Sequence, residues 1–583
     1  MPSGIGIDEG EPLEPTESQE PGTMATITSA QAGFADVGST WVGGVAPGAS
    51  DDIILAHSVT FRNNTTLAGL VINAGGVFIK GVDVVITMNG NIVQQNSNRL
   101  QIDWLEGGGM EFGNGGFTFG TPSQYPGSIP SFRVRGTEEK PCFLRTATGG
   151  TRAYFSGTST YHGLMDCEWL NVSEFDNGSG VAHTSSLNSD GSVGNSSLIR
   201  FVNCTFDNCG RFSFSGYGPH ARSTVQNSKF TNCLGDRAFH SEAVWPMSEG
   251  GIRLFDGVIA ETRVNFNNPR DFSVRNCTLN GFQTSSPDGE DGLAQFKNNM
   301  IFLPDNGDPL ICASLSEDNV VIYTDVDKTN AHFWEIGNYA DITTYTISGL
   351  IIEFLGNDTD GDGHIVSVPS VPTTINFERV IVLPNGAGNT SATLASLLGN
   401  ANVTANFRKS TIHTGSNGGI AVGETYAGHP GMVGECVDCI AWDTAGRGYL
   451  MFDSGVNDSV TDLIAASDFD YNCAHNIAGF SNNLEFTGTP NQNSITENPQ
   501  FKDPTRDFRS FDVANGGDGN VTNALSRWFA GNYIPQQFID YIHEGFTPQN
   551  AALQGAASDG GDIGAVAVVP ASRGVGVMTM GIE

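Results

Sequence analysis

Positive charge is scarce in this chain: 28 Lys and Arg stand against 63 Asp and Glu, a formal net charge of −35 over 583 residues. Nucleic-acid binding depends on Lys and Arg displacing counterions from phosphates, so DNA and RNA are not expected partners. No run of about 18 apolar residues occurs, so no membrane-inserted helix is expected. The opening stretch, MPSGIGIDEGEPLEPTESQEPGT, lacks the apolar core of a secretory signal. Extracellular-looking composition without an export signal points to a virion component released by lysis, the alternative being a secreted protein. Cysteine is sparse for the length, 10 residues, which excludes a disulfide-stapled scaffold and leaves buried thiols as the expectation. Cys436 and Cys439 form a single C-x-x-C. On a strand, positions i and i+3 face opposite ways, and no second pair follows at zinc spacing, so neither a metal nor a redox centre is expected there.

Helical periodicity is also nearly missing. From Phe34 onward the chain reads as strands of four to seven residues punctuated by Gly, Asn, Asp and Pro, with helices expected only late, near Asn523 to Phe529 and Ile534 to His543. A chain this long exceeds one growing core, so it splits into domains or repeats along an axis. With 74 Gly and 39% apolar residues, a repeat of short strands fits. The repeat is visible in RFVNCTF, TVQNSKF, SVRNCTL and QFKNNMI, whose central residues Asn203, Asn227, Asn276 and Asn298 are 24, 49 and 22 residues apart. One turn of about 24 residues fits if the middle interval holds two, the extra one near Arg253 to Ile259. Apolar residues stand two before each Asn (Phe201, Val225, Val274, Phe296) and three after it (Phe206, Phe230, Leu279, Ile301). These offsets differ by an odd number, so a straight strand would send them to opposite faces. A bend at Asn, which tolerates the left-handed backbone, returns both to the inside, and stacked Asn side chains can then bond along the axis. The expected fold is an all-β right-handed parallel β-helix over residues 34–500. It has an acidic, Pro-rich N-terminal arm within residues 1–33 and a closing segment with short helices over 501–583. NFERVIV and NFRKSTI continue the pattern at Phe377 and Phe407, and 12 to 17 rungs of about 4.8 Å are expected.

The front segments STWVGGVAPGASDDIILAHSVTF and LAGLVINAGGVFI, with ENPQFKDPTRDFRSF and DGGDIGAV at the back, resemble the pectate-lyase-like parallel β-helix superfamily over roughly residues 34–566. The unsigned acidic start is most similar to its tailed-virus tailspikes, tail fibres and other virion-surface proteins. The resemblance implies a homotrimer, attachment to other virion proteins through the N-terminal arm, and a host-surface glycan or envelope as target. It also admits polysaccharide lyases, glycosidases and capsid or baseplate decoration rods, so fold alone does not settle activity.

Two constellations could carry chemistry. The stretch from GYGPHARS to GDRAFHSEAVW brings together Tyr217, His220, Arg222, Asp236, Arg237, His240, Glu242 and Trp245. Asp236 and Glu242 could act as a glycosidase pair, and Arg222, Arg237 and His240 could serve a lyase, with Arg or His as base and a cation stabilising the enolate. His220, Arg222, Trp245 and Tyr217 would bind the sugar, the aromatic rings offering apolar faces; a satisfied polar turn cluster is the alternative. The second is NDTDGDGHI, where Asp358, Asp360 and Asp362 alternate, Gly363 permits the turn and the His364 carbonyl stands at position 7 of a calcium loop. Its position 12 is Pro369 instead of Glu, so weak calcium binding or a plain Asp-Gly turn is expected.

Overall fold

A computed structural model describes residues 25–95, 100–119, 132–157, 165–175, 181–184, 198–217, 222–234, 237–244, 251–267, 269–284, 294–303, 315–324, 334–336, 343–355, 365–367, 373–383, 403–412, 420–422, 432–442, 449–451, 469–475, 493–495 and 497–566. The first part of the proposed arm and the proposed calcium loop lie outside these residues.

The rungs up to Phe282–Thr284 visit three parallel sheets in turn, as in Arg222–Gln226 (sheet 1), Lys229–Thr231 (sheet 2) and Arg237–Val244 (sheet 3). Sheet 1 is an open ladder from Gly33–Phe34, paired with Ser58–Phe61, to Phe469–Asp470, paired with Met432–Val437. Among the described residues sheet 2 has sixteen strands and sheet 3 eleven. At one strand spacing per rung, sheet 2 runs roughly 70 Å. Sheet 3 ends with Phe282–Thr284; later rungs carry instead the short pairs Trp334–Ile336 with Ile365–Ser367 and Ile420–Val422 with Tyr449–Met451. The chain is a parallel β-helix.

The bend between sheets 1 and 2 sets the register. Asn203, Asn227, Asn276 and Asn298 have φ of 54°, 46°, 55° and 52°, and Gly257, with φ 65°, supplies the rung inferred near Arg253 to Ile259. The bend turns the flanking residues inward: Phe201, Val225, Val274, Phe296, Phe206, Phe230, Leu279 and Ile301 are all buried. Ring stacking continues along the axis, Phe206 on Phe230 at 4.7 Å and Phe377 on Phe407 at 4.8 Å. The N–H of each bend residue donates to the rung above, Asn203 to Gln226 O at 3.0 Å and Asn227 to Asp256 O at 2.9 Å. Outside, Asn298 Nδ2 donates to Asn276 Oδ1 at 2.7 Å and Asn276 Nδ2 to Asp256 Oδ1 at 2.8 Å.

A second, internal polar column stands one residue after the bend. There the backbone N–H turns into the core, where an unmet donor would be costly. The next rung supplies the acceptor: Cys204 N–H donates to Ser228 Oγ, Cys277 N–H to Asn299 Oδ1, Asn299 N–H to Asn319 Oδ1, and Cys439 N–H to Asn472 Oδ1, all at 2.9 to 3.0 Å. The same geometry corrects the expectation for Cys436 and Cys439. Asp438 bends the chain at φ 61°, so both thiols are buried in the core instead of facing apart.

The closing segment does not sit on the end of the rod. Helices α1 (Phe508–Ala514), α2 (Val521–Ala530) and α3 (Pro535–Gly545) lie along the outer face of sheet 2. Phe508, Trp528, Phe529, Phe538 and Ile542 join Met300, Phe302, Val320, Ile322, Ile351 and Ile381 in a second apolar core. The register explains the seat. One outward column of sheet 2 reads Asn171, Thr205, Lys229, then Ile259, Thr278, Met300, Val320, Ile351, Ile381, turning apolar where the helices begin. Polar contacts fix the layer: Lys229 Nζ donates to Ala530 O at 2.6 Å, Phe508 N–H to Glu353 Oε2 at 2.9 Å, and Ser558 Oγ to Asp438 Oδ2 at 2.7 Å. Within it, buried Asp512 holds Arg527 at 2.5 Å and accepts the Tyr533 hydroxyl at 3.1 Å. The two helices read from sequence correspond to α2 and α3, and α1 is additional.

Candidate functional site

On sheet 3 the strands Arg211–Tyr217, Arg237–Val244, Arg263–Asn267 and Phe282–Thr284 lie in register. Phe239, Val264 and Phe282 point into the core, so strand alternation places the next residues, His240, Asn265 and Gln283, in one outward column. His240 is 8% exposed and Asn265 2%, so their polar atoms must be met by partners. Asn265 Nδ2 donates to Gln283 Oε1 at 2.6 Å, which leaves Asn265 Oδ1 facing His240 Nδ1 at 2.8 Å. In that arrangement Nδ1 donates its proton to Asn265.

Arg237 and His240 are three apart and on a regular strand would face opposite ways. Against the next rung the register slips between Arg237 and Phe239, leaving Ala238 unmatched. Such a bulge re-aims the neighbouring side chain, and Arg237 Nη1 comes to 3.3 Å from His240 Nδ1. With Nδ1 donating to Asn265, this is a contact of charge with ring. The row therefore holds an oriented imidazole beside a guanidinium within a largely buried polar network.

Of the residues expected to form this site, the structure brings Arg237 and His240 together. Glu242 lies on the same strand two residues beyond His240, in register between Ser215 and Asn267, and Tyr217 is in register with Val244. Arg222 opens a strand of sheet 1, a different face of the rung. His220, Asp236 and Trp245 lie outside the described residues, as do Asp358, Asp360, Asp362 and His364. Asn265 and Gln283 were not singled out from sequence. They follow the repeat residues Gly257 and Asn276 by 8 and 7 positions, whereas His240 follows Asn227 by 13. The turn between sheets 2 and 3 varies in length, which hides the column.

Thiol chemistry has little footing. Burial pushes the Cys204, Cys209 and Cys277 thiols up to about 12 and that of Cys233 up to about 11, so they stay protonated. Cys209 and Cys233 occupy equivalent places, one residue past Asn208 and Asn232. Among the described residues no group of three His, Cys, Asp or Glu side chains could hold a metal ion, and no helix is long and apolar enough to cross a membrane. Comparison with family models, with curated proteins and with solved structures finds no match to this chain.

Proposed function

We propose that this chain is a virion-surface rod that attaches to a host cell, with the polar row on sheet 3 as a glycan contact, in the manner of tailspikes and tail fibres of the pectate-lyase-like superfamily. The observation that carries the reading is the in-register polar network on sheet 3, in which buried His240 and Asn265 hold the partly exposed Gln283 in place as the group offered to a ligand. Rigid, prepaired side chains bind hydroxyl-rich ligands without a large ordering cost. The acidic composition supports exposure on a particle surface, since a strongly charged rod stays soluble and separate. The proposal includes a homotrimer anchored through the N-terminal arm.

Purified particles should contain the chain, and labelled antibody should mark it at the surface by electron microscopy. Soluble chain should compete with particles for host cells, and His240→Ala should compete less well. Absence from particles would sink the attachment reading. Polysaccharide cleavage is the second reading, favoured by the closeness of the His240 ring to the Arg237 guanidinium, 3.3 Å. Lyase or glycosidase action on host capsular or envelope polysaccharide would release unsaturated uronate or new reducing ends, and equal inactivity of wild type and His240→Ala across such substrates removes it.

A further inference from the structure

The outer face of sheet 1 carries a shallow cleft of about 410 Å³, on a different face of the rod from the His240 row. Register builds it from two outward columns: Thr224, Leu254, Ser273 and Gln295 in one, Gln226, Asp256 and Arg275 in the other. Ion pairs rim it at both ends. Before it, Arg200 meets Asp166 at 2.6 Å and Glu168 at 2.7 Å; after it, Lys297 pairs with Glu317. Between the rims the short side chains of Thr224 and Ser273 leave Leu254 standing alone, 43% exposed.

Charge on the floor is internally cancelled. Asp256 holds Arg275 at 2.9 Å and also accepts Asn276 Nδ2 at 2.8 Å. What remains is Leu254, with Phe255 and Phe272 beneath, flanked by hydroxyl and amide groups, Thr224 and Ser273 beside Gln226 and Gln295. Among the described lining residues an anionic ligand would meet no unpaired cation, and it would approach a chain of net charge −35. A neutral ligand with many hydroxyls and one methyl-bearing group satisfies every part: polar edges for the amides, a methyl for Leu254. Successive strands lie about 4.8 Å apart, close to the length of one pyranose in an extended chain, so each rung meets one sugar of a strand laid along the axis.

We infer that this cleft is a second glycan-binding site, one that takes a neutral, N-acetylated oligosaccharide running along the rod with an acetamido methyl on Leu254. It is independent of the sheet 3 row. Calorimetric titration of the full chain with a chitooligosaccharide, a maltooligosaccharide and an oligogalacturonate tests it. The chitooligosaccharide should bind saturably, the maltooligosaccharide about tenfold more weakly for want of the methyl contact, and the oligogalacturonate not at all. Leu254→Asp, at an exposed position, should abolish the binding, whereas Val513→Asp, at an exposed position on α1, should leave it unchanged. No saturable chitooligosaccharide binding, preference for the acidic oligomer, or binding that survives Leu254→Asp overturns the assignment. So does sedimentation showing an oligomer that Leu254→Asp dissociates, because the cleft would then be covered by a second copy. Loss of host-cell competition in His240→Ala alone, with chitooligosaccharide binding intact, reports on sheet 3 and not on this cleft.

Discussion

At the scale of single residues, the polar column just inside the bend is the least replaceable feature. Asn299 accepts the Cys277 N–H and donates to both Val274 O and Asn319 Oδ1, with its side chain fully buried. Asn299→Leu keeps the volume and orphans those groups, at a cost of about 1 to 3 kcal/mol for each buried donor left unmet. Asn299→Ser should lose less, since Ser228 serves the same place three rungs earlier. Urea midpoints of the two variants check the order. The bend itself predicts a gain. Tyr471 holds φ 55° without being Gly or Asn, and that backbone costs a β-carbon about 1 to 2 kcal/mol. Tyr471→Gly should therefore raise the midpoint, and a fall would show that the ring contributes more than the strain removes.

At the scale of elements, the helical layer on sheet 2 has its own pH response. Burial pushes the Glu353 carboxyl well above the usual carboxylate range, the nearby Asp507 adding to it, although the Phe508 N–H works the other way. A raised pKa in the folded state means the contribution to stability is complete below the unfolded value of about 4.3 and is lost as pH rises through the folded value. Glu353→Gln fixes the uncharged form while keeping an acceptor for Phe508. Its melting temperature should exceed that of wild type at pH 8 and converge with it in acid; equal curves at every pH would show that Glu353 remains a carboxylate in the fold. Asp512 responds oppositely. Burial raises its carboxyl, but Arg527, the Gly519 N–H and the Tyr533 hydroxyl outweigh that and hold it low. Its contribution is present above about pH 4 and fails as pH falls further, so Asp512→Asn should flatten the acid limb of the same curve.

These elements differ in how far the sequence disclosed them. The sheet 1 to sheet 2 bend was legible because its spacing is short and constant: apolar residues stand at fixed distances around Asn203, Asn227, Asn276 and Asn298. Sheet 3 was not, because variable turns detach Asn265 and Gln283 from that spacing. Helix α1 was missed for another reason. FRSFDVA has only seven residues and no long periodicity, and it is stabilised by Phe508 and Phe511 packing on distant partners and by an Asp507–Ser510 capping box. The seat of the helices was in principle readable in Met300, Phe302, Val320 and Ile322. Strands apolar on both faces announce a cover on each side.

For the whole molecule, acidity is the property that most needs a counterpart. The loop carrying Asp358, Asp360, Asp362 and His364 is expected to bind calcium weakly, around 10⁻⁴ to 10⁻³ M, because its twelfth position is Pro369. Binding to the folded chain alone then raises the melting temperature in millimolar calcium by mass action. Melts that ignore both calcium and chelator would leave the loop a plain turn.

The helical layer also imposes a schedule. Lys229 and Ala530 touch across 301 positions of sequence, so during synthesis the early rungs can stack while their cover is still inside the ribosome or not yet made. A nascent rod grows by templating each strand on the last, and for part of its birth it carries the strip from Met300 to Ile381 bare. Such a strip is the kind of surface on which half-made chains find one another. A polypeptide ending at Glu497 should therefore associate and bind hydrophobic dye where the full chain does not. Supplying residues 498–583 as a separate peptide should restore the single rod if the last segment to emerge is the one that seals it.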